Sequence, residues 1–445
     1  MKAFLAALAA LLMAVAINAP LAVRSAPNDI TGQGRQFVER LAKGDYAAAA
    51  GQFDDTMRTN LPESKLHELW RTLEMQAGLF QEQLGVRKMT SAGFDVALVT
   101  CKFEQTDLDI KVVFDANGRI TGLFFLPSQG YVGDIPSYAS TNAFHETEFT
   151  VGHGEWQLPG TLTLPNGSGP WPVVVLVHGS GPEDRDETGG ANKPFRDLAW
   201  GLASRGLAVL RYENRTEQYA STFRKKYPAH FTVREETIDD ALTAVAQLRN
   251  TYEIDSKRIF VLGHSLGGML APEIGQTDTN LAGLILLAGS TRPIEDMIVE
   301  QTRYTISING STSAEGQAYL AKVESVAARI KKLTAADASS SVMLYGAQPA
   351  YWLDLRNYHP LEVVQQLKQP LLILQGGRDY QVTSVDFNRW KGALGSQSNV
   401  TFKFYPALNH QFIAGEGKST PHEYEQAGHV ADPVVTDIAE WIKSH

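Results

Sequence analysis

The chain has 445 residues, 43% of them hydrophobic and 20% charged, with a formal net charge of −9 and a single cysteine, Cys101. That length implies two or three domains and a sizeable core. The negative balance argues against nucleic acid or an anionic membrane as partner, since both need a basic face, and a lone cysteine leaves packing to hold the fold.

At the N-terminus Lys2 precedes an unbroken apolar run from Ala3 to Ile17, then small residues and Pro20. A positive start, an apolar middle and a small-residue exit make the pattern of a secretory signal peptide, and the run is shorter than the ~20 residues that span a bilayer. A signal peptide over 1–25, export to the periplasm or the medium, and no membrane span once it is removed are the expectations.

Next come two stretches with apolar residues at helical spacing. Residues 36–53 carry Phe37, Leu41, Tyr46, Ala50 and Phe53, and residues 65–79 carry Leu66, Leu69, Trp70 and Leu73. The period then changes to two, which predicts strands at 81–87, 95–103, 107–114 and 120–125, the last pair joined by the turn Asp115-Ala116-Asn117-Gly118. Helices followed by an antiparallel meander make a small α+β domain over 30–127. Cys101, inside an alternating strand, reads as core filling. The surface of this domain, with Phe124 and Phe125, offers a face for a homodimer.

Residues 128–144, rich in Gly, Ser, Pro and Asn, form a linker. From 145 to 445 short apolar runs alternate with amphipathic segments. The runs at 173–177, 207–210, 259–262, 284–287 and 371–374 have the continuous apolar character of parallel strands buried on both faces. Helices fit at 195–204, 235–249 and 266–274, and an antiparallel strand pair at 146–152 and 157–164 precedes them. The sum is a doubly wound, mostly parallel α/β sheet. A stretch of about 75 residues, 291–365, is too long for a crossover and reads as a helical cap, with helices at 294–305, 317–333 and 341–355. Its aromatics Tyr304, Tyr345, Tyr351 and Trp352 either line an acyl pocket or glue the cap to the sheet; Tyr304, Tyr351 and Trp352 are the substrate-binding candidates.

The chemistry centres on Gly263-His264-Ser265-Leu266-Gly267-Gly268, directly after the strand-like Arg258-Ile259-Phe260-Val261-Leu262. A buried strand that ends in Gly-x-Ser-x-Gly and opens into a helix holds its serine in a strained turn with the hydroxyl projecting above the sheet. Ser265 is the candidate nucleophile. A serine needs a base, and the base needs a group that fixes its tautomer. In chain order the acid is Asp379, after the strand-like 371–374 and a glycine turn, and the base is His410, after the last strand. The oxyanion that develops needs two backbone donors; these are expected at Leu266, where the helix opens, and at Ser180, in His178-Gly179-Ser180-Gly181-Pro182. His178 is expected to brace that loop. No His-Glu-x-x-His and no phosphate cradle occur, and His422 and His429 flank an acidic stretch, so no metal and no cofactor is expected.

Together these features resemble the α/β-hydrolase superfamily from about residue 146 onward. His178-Gly179-Ser180-Gly181-Pro182-Glu183-Asp184-Arg185-Asp186, Lys193-Pro194-Phe195 and Leu210-Arg211-Tyr212 are similar to a serine-aminopeptidase-like or dienelactone-hydrolase-like bacterial branch. That branch usually has Asp-Lys-Arg where this chain has Glu213-Asn214-Arg215. The N-terminal domain resembles an NTF2-like domain of unknown function. The resemblance implies a serine hydrolase with Ser265, Asp379 and His410 as triad. The leading expectation is cleavage of small carboxylic esters through an acyl-enzyme. Two alternatives stay open: a peptidase or amidase of the same fold, for which Glu183, Asp184, Asp186 and Glu187 offer an acidic cluster to a free amine, and a non-catalytic ligand-binding protein.

Overall fold

The computed structural model describes residues 30–91, 94–128, 135–219, 231–308 and 313–445, so the expected signal peptide and part of the expected linker lie outside the described residues. The chain divides into two compact units, one ending at Asp134 and one running from Ile135 to His445.

In the first unit helix α1 (Ile30–Ala42) buries Ile30, Phe37, Val38 and Leu41, and α2 (Glu63–Ala77) buries Leu66, Trp70, Leu73 and Ala77. Steps of three or four residues in the second set, and of seven, one and three in the first, keep each on one face. The single helix expected over 36–53 is instead two. Gly44, at φ 77°, closes the first in the left-handed conformation, and the Asp45 side chain accepts a bond from Ala48 N–H to start a short second one at Tyr46–Ala50. Both lie with strands β1 (Phe80–Ser91), β2 (Phe94–Phe103), β3 (Asp107–Phe114) and β4 (Ile120–Pro127), an antiparallel meander. Cys101 is buried in that core, and burial pushes its thiol up to about 12. It stays a neutral thiol at physiological pH.

The second unit holds an eight-stranded mixed sheet. Its strands are β5 (Phe144–Val151), β6 (Leu158–Pro165), β7 (Trp171–Val177), β8 (Ala208–Tyr212), β9 (Ile254–His264), β10 (Gly283–Leu287), β11 (Leu371–Gly376) and β12 (Val400–Tyr405), in the order β12-β11-β10-β9-β7-β8-β6-β5. Only the pairs β5–β6 and β6–β8 are antiparallel. Successive side chains of a strand face opposite sides. Val173, Val175 and Val177 of β7 therefore pack in one core with Ala241, Ala244 and Val245, while Val174 and Leu176 pack in another with Phe195, Leu198 and Leu202. The first three partners come from α4 (Asp239–Leu248) and the second three from α3 (Pro194–Ala203). Helix 235–249 begins differently from expectation, with a π-type turn over Arg234–Ile238 before α4.

Helix α5 (Leu266–Thr277) follows β9, and the excursion between β10 and β11 carries α6 (Ile294–Ile308), α7 (Ala314–Lys331) and α8 (Pro349–Asn357). The third cap helix is shorter than the 341–355 expected. Tyr345 and Gly346 take φ 45° and 82°, Leu344 bridges back to Ala347, and Pro349 is tolerated at the start of a helix but not inside one.

Candidate active site

Between β9 and α5 stands Ser265 alone, at φ 53° and ψ −111°. A non-glycine residue held there stores ~1–3 kcal/mol of strain, which persists only if the surroundings fix it. They do: its N–H donates to Leu287 O of β10 at 2.9 Å, and its carbonyl accepts Met269 N–H at 3.0 Å, the first bond of α5. The flanking glycines are required by space. A Cβ on Gly263 would stand 2.1 Å from Gly267 O, and one on Gly267 would stand 2.4 Å from Val177 O. Gly263→Ala is accordingly expected to cost about 3 kcal/mol of stability, read as a lowered urea midpoint at unchanged slope; a midpoint equal to wild type would mean that the turn is looser than drawn.

Strand β11 ends in Gly376, and the turn that follows presents Asp379. Its Oδ1 accepts Gln381 N–H at 2.8 Å and Val382 N–H at 2.9 Å, and its Oδ2 accepts Gln375 Nε2–H at 3.3 Å. The carboxylate is thus locked by its own loop, and Oδ2 lies 2.7 Å from His410 Nδ1. His410, on the loop after β12, is buried. With Nδ1 on the carboxylate, Nε2 is the lone-pair nitrogen, and among the described residues it has no protein hydrogen-bond partner.

The loop after β7 packs directly on the serine: a Cβ placed on Gly179 would lie 3.3 Å from Ser265 Cβ. The loop is braced throughout. The Asp184 carboxylate accepts Asp186 N–H, Thr188 N–H and the Thr188 hydroxyl, and His178 Nε2 lies 3.1 Å from Asp184 O. Burial lowers the His178 pKa, so it sits as a neutral donor. Asn214 donates to Gly181 O at 2.6 Å, Glu213 accepts Arg185 Nε–H at 2.8 Å, and Arg215 pairs with the buried Asp240. Glu213-Asn214-Arg215 therefore anchors the loop. Leu266 is buried and Ser180 exposed, and among the described residues neither backbone N–H is given to a protein acceptor.

The cap aromatics separate by place. Tyr304 donates to Ser419 O at 2.8 Å and stacks, at 5.0 Å between ring centres, on Tyr380, the neighbour of Asp379. Tyr351 and Trp352 are buried; the Tyr351 hydroxyl donates to Glu236 Oε2 at 2.6 Å, and the Trp352 indole donates to Leu344 O at 2.8 Å. Burial raises the Glu236 carboxyl to about 7. His429, which flanks the acidic stretch, is half-buried, with Nδ1 3.1 Å from the buried Asp197.

The four acids expected to greet an amine are mostly committed elsewhere. Asp184 caps its own loop, Asp186 pairs with Lys193 and Arg211, and Glu187 accepts Gly179 N–H at 2.6 Å. Burial, with the charges of Glu187 and Asp184, raises Glu183 to about 8, which leaves it protonated at neutral pH. Among the described residues no group of three or more His, Cys, Asp or Glu side chains is placed to hold a metal ion, and no helix is long and apolar enough to cross a membrane. One buried group beside the nucleophile has no counterpart in the sequence reading. His264 stands there only as a motif residue, and its position immediately before the serine is the signal that could have found it.

Two families match the chain: a protein of unknown function (DUF3887) over residues 35–123, and serine aminopeptidase, S33, over residues 170–417. Esterase EstD of Thermotoga maritima is 37% identical over 406 residues, covering 91% of this chain and 93% of that protein. Among solved structures, a 2,6-dihydroxy-pseudo-oxynicotine hydrolase aligns with TM-score 0.42 and 19% identity over 66% of each chain. The Pyrococcus horikoshii acylaminoacyl peptidase aligns with TM-score 0.45 and 14% identity over 81% of this chain and 56% of its own.

Proposed function

Because this chain belongs to the serine aminopeptidase S33 family of α/β hydrolases, we propose that it cleaves carboxylic esters through an acyl-enzyme formed on Ser265. The observation that carries the reading is the buried Asp379–His410 pair, 2.7 Å apart on the loops after β11 and β12, on the same sheet whose β9 ends at the strained Ser265.

In that reading His410 Nε2 takes the Ser265 proton as Oγ attacks the ester carbonyl. The charge that develops on the carbonyl oxygen is met by the N–H groups of Leu266 and Ser180. The tetrahedral intermediate collapses, His410 returns the proton to the departing alcohol, and the acyl group stays on Oγ. Water then repeats the sequence, with His410 as its base, and releases the acid. In this reading Tyr304, which stacks on Tyr380 beside Asp379, is the cap aromatic that meets substrate, whereas Tyr351 and Trp352 are buried on Glu236 and Leu344 and support the cap. The likeness to an esterase over nearly the whole of both chains supports ester cleavage. Commitment of Asp184, Asp186 and Glu187, with Glu183 neutral, disfavours capture of a substrate ammonium.

Steady-state assays with aryl esters of rising acyl length beside aminoacyl anilides test the reading. Aryl esters are expected to exceed anilides in kcat/KM by about 100-fold or more, equivalent to about 2.7 kcal/mol of transition-state binding. Anilides cleaved as well as esters would return the peptidase reading.

A further inference from the structure

Directly beneath the nucleophile turn lies a second histidine–carboxylate pair. His264 is 6% exposed and Glu187 is also 6% exposed. His264 Nδ1 is 2.8 Å from Glu187 Oε2, and its Nε2 is 3.0 Å from the backbone oxygen of His410. Both facing atoms are acceptors while Glu187 is ionised, and the 2.8 Å approach is an ion-pair contact, not an aligned hydrogen bond, which leaves buried Nδ1 and Oε2 with no other partner among the described residues. A neutral imidazole offers one N–H and one lone pair, so one of the two contacts would set lone pair against lone pair. With Nε2–H given to His410 O, the second proton of the pair lies on Glu187 Oε2 or on His264 Nδ1, and the Gly179 N–H bond to Oε1 favours the ionised carboxylate and the imidazolium.

The opposite end of the carboxylate is equally committed. Glu187 Oε1 accepts Gly179 N–H at 2.6 Å, and the Glu187 backbone is held at φ 51°, a left-handed conformation unusual for a side chain of that size. The pair therefore touches three loops. It holds Gly179 of the loop expected to supply an oxyanion donor, it is joined to Ser265 by a peptide bond, and it holds the carbonyl of His410. A buried ion pair is weak evidence for stability, because desolvation offsets most of the attraction.

We propose that the Glu187–His264 ion pair is a positioning device that holds the oxyanion loop and the His410 loop in register with Ser265, and that turnover requires its charged form. The proposal rests on the reading of Ser265, Asp379 and His410 as the triad. Charged or titratable groups face His264 from each neighbouring loop: Glu187 and Glu183 beyond β7, His178 at the end of β7, and Asp379 and His410, whose ring lies 4.6 Å from that of His264. Burial alone would lower the His264 pKa, but the Glu187 carboxylate outweighs it and holds the imidazolium up to about 9. Burial likewise opposes ionisation of Glu187, and His264 outweighs it, keeping that carboxyl below its ordinary value. The charged pair is thus present through neutrality and lost as pH rises through about 9.

The test is the pH dependence of kcat on a small aryl ester, for the full chain and for His264→Gln, Glu187→Gln and Ser265→Ala. Wild type is expected to show an alkaline fall near pH 9. His264→Gln keeps a donor toward His410 O but carries no charge; kcat is expected to drop about 100-fold, the scale of a small misplacement of reacting groups, with KM within about threefold and the alkaline fall gone. Glu187→Gln keeps the acceptor for Gly179 and lets His264 lose its proton more easily, so the fall is expected more than about one pH unit lower. A wild-type kcat that stays flat from about pH 7.5 to 10 overturns the proposal, whatever the variants do. So does wild-type kcat and profile in both Gln variants while Ser265→Ala is inactive. Retained turnover in Ser265→Ala overturns the triad reading instead.

Discussion

Ser265→Ala is expected to lower kcat on an aryl ester by ~10⁴-fold or more, leaving only what backbone donors and binding supply without a nucleophile. The change removes one oxygen and touches little else. The turn that carries the residue is fixed by backbone bonds to Leu287 and Met269 and by the close approach of Gly263 and Gly267, none of which involves the hydroxyl. Circular dichroism and the unfolding midpoint are therefore expected to match wild type, while covalent labelling by a fluorophosphonate disappears. A variant with wild-type fold and wild-type turnover would eliminate Ser265 as the attacking group.

Nearly as large an effect is expected from Asp379→Asn, about 10⁴-fold in kcat, and for a different reason. The new side chain has almost the same shape. Its carbonyl oxygen can keep the two bonds from Gln381 and Val382 N–H, and that leaves the amide NH₂ facing His410 Nδ1. A donor there requires a lone pair on Nδ1, so the ring proton moves to Nε2 and points at the serine. The base is then protonated on the nitrogen that must accept. Stability is expected to change little, because the two backbone bonds survive and the 3.3 Å bond from Gln375 Nε2–H that is lost leaves that group its bonds to Gly376 O and Val382 O. A loss below about tenfold, with the variant folded, would show that Asp379 does not set the tautomer.

What the chain order disclosed, and what it hid, follows from how far apart the interacting groups lie. The places of Ser265, Asp379 and His410 in the fold were legible because each sits just past an apolar strand, where local pattern and the order of strands suffice to locate it. The same holds for the sheet, where each central run overlaps a strand, although β9 begins five residues before and ends two after the run at 259–262. The break at Gly44-Asp45 and the short third cap helix were written in turn chemistry that apolar spacing overrode: a left-handed glycine with a capping aspartate in one case, Gly346 with Pro349 in the other. The commitments of Glu183, Asp184, Asp186 and Glu187 had no local signature. Four acids in five residues read as an amine-binding cluster, and only folding reveals that Glu187 turns inward to His264 at the end of β9 and Asp186 to Arg211 of β8. Side-chain partnerships of that kind are set by the sheet's strand order, and no periodicity records them.

The cap interrupts the chain between two strands that are hydrogen-bonded neighbours. Leu284 through Leu287 of β10 pair in register with Leu371 through Leu374 of β11, while residues 288–370 leave and return between them. Its two ends are thus tethered a strand's width apart by the sheet itself, whatever the excursion contains. The entropy of closing such a loop grows only with the logarithm of its length, about 0.6 kcal/mol for each doubling. In descent, then, this segment is free to lengthen, shrink or be rewritten at small thermodynamic penalty, and the strand ends that carry Ser265 and Asp379 need not register the change. Selectivity and bond cleavage become separately heritable, so two lineages of this fold are expected to diverge first in what they admit and last in how they cut.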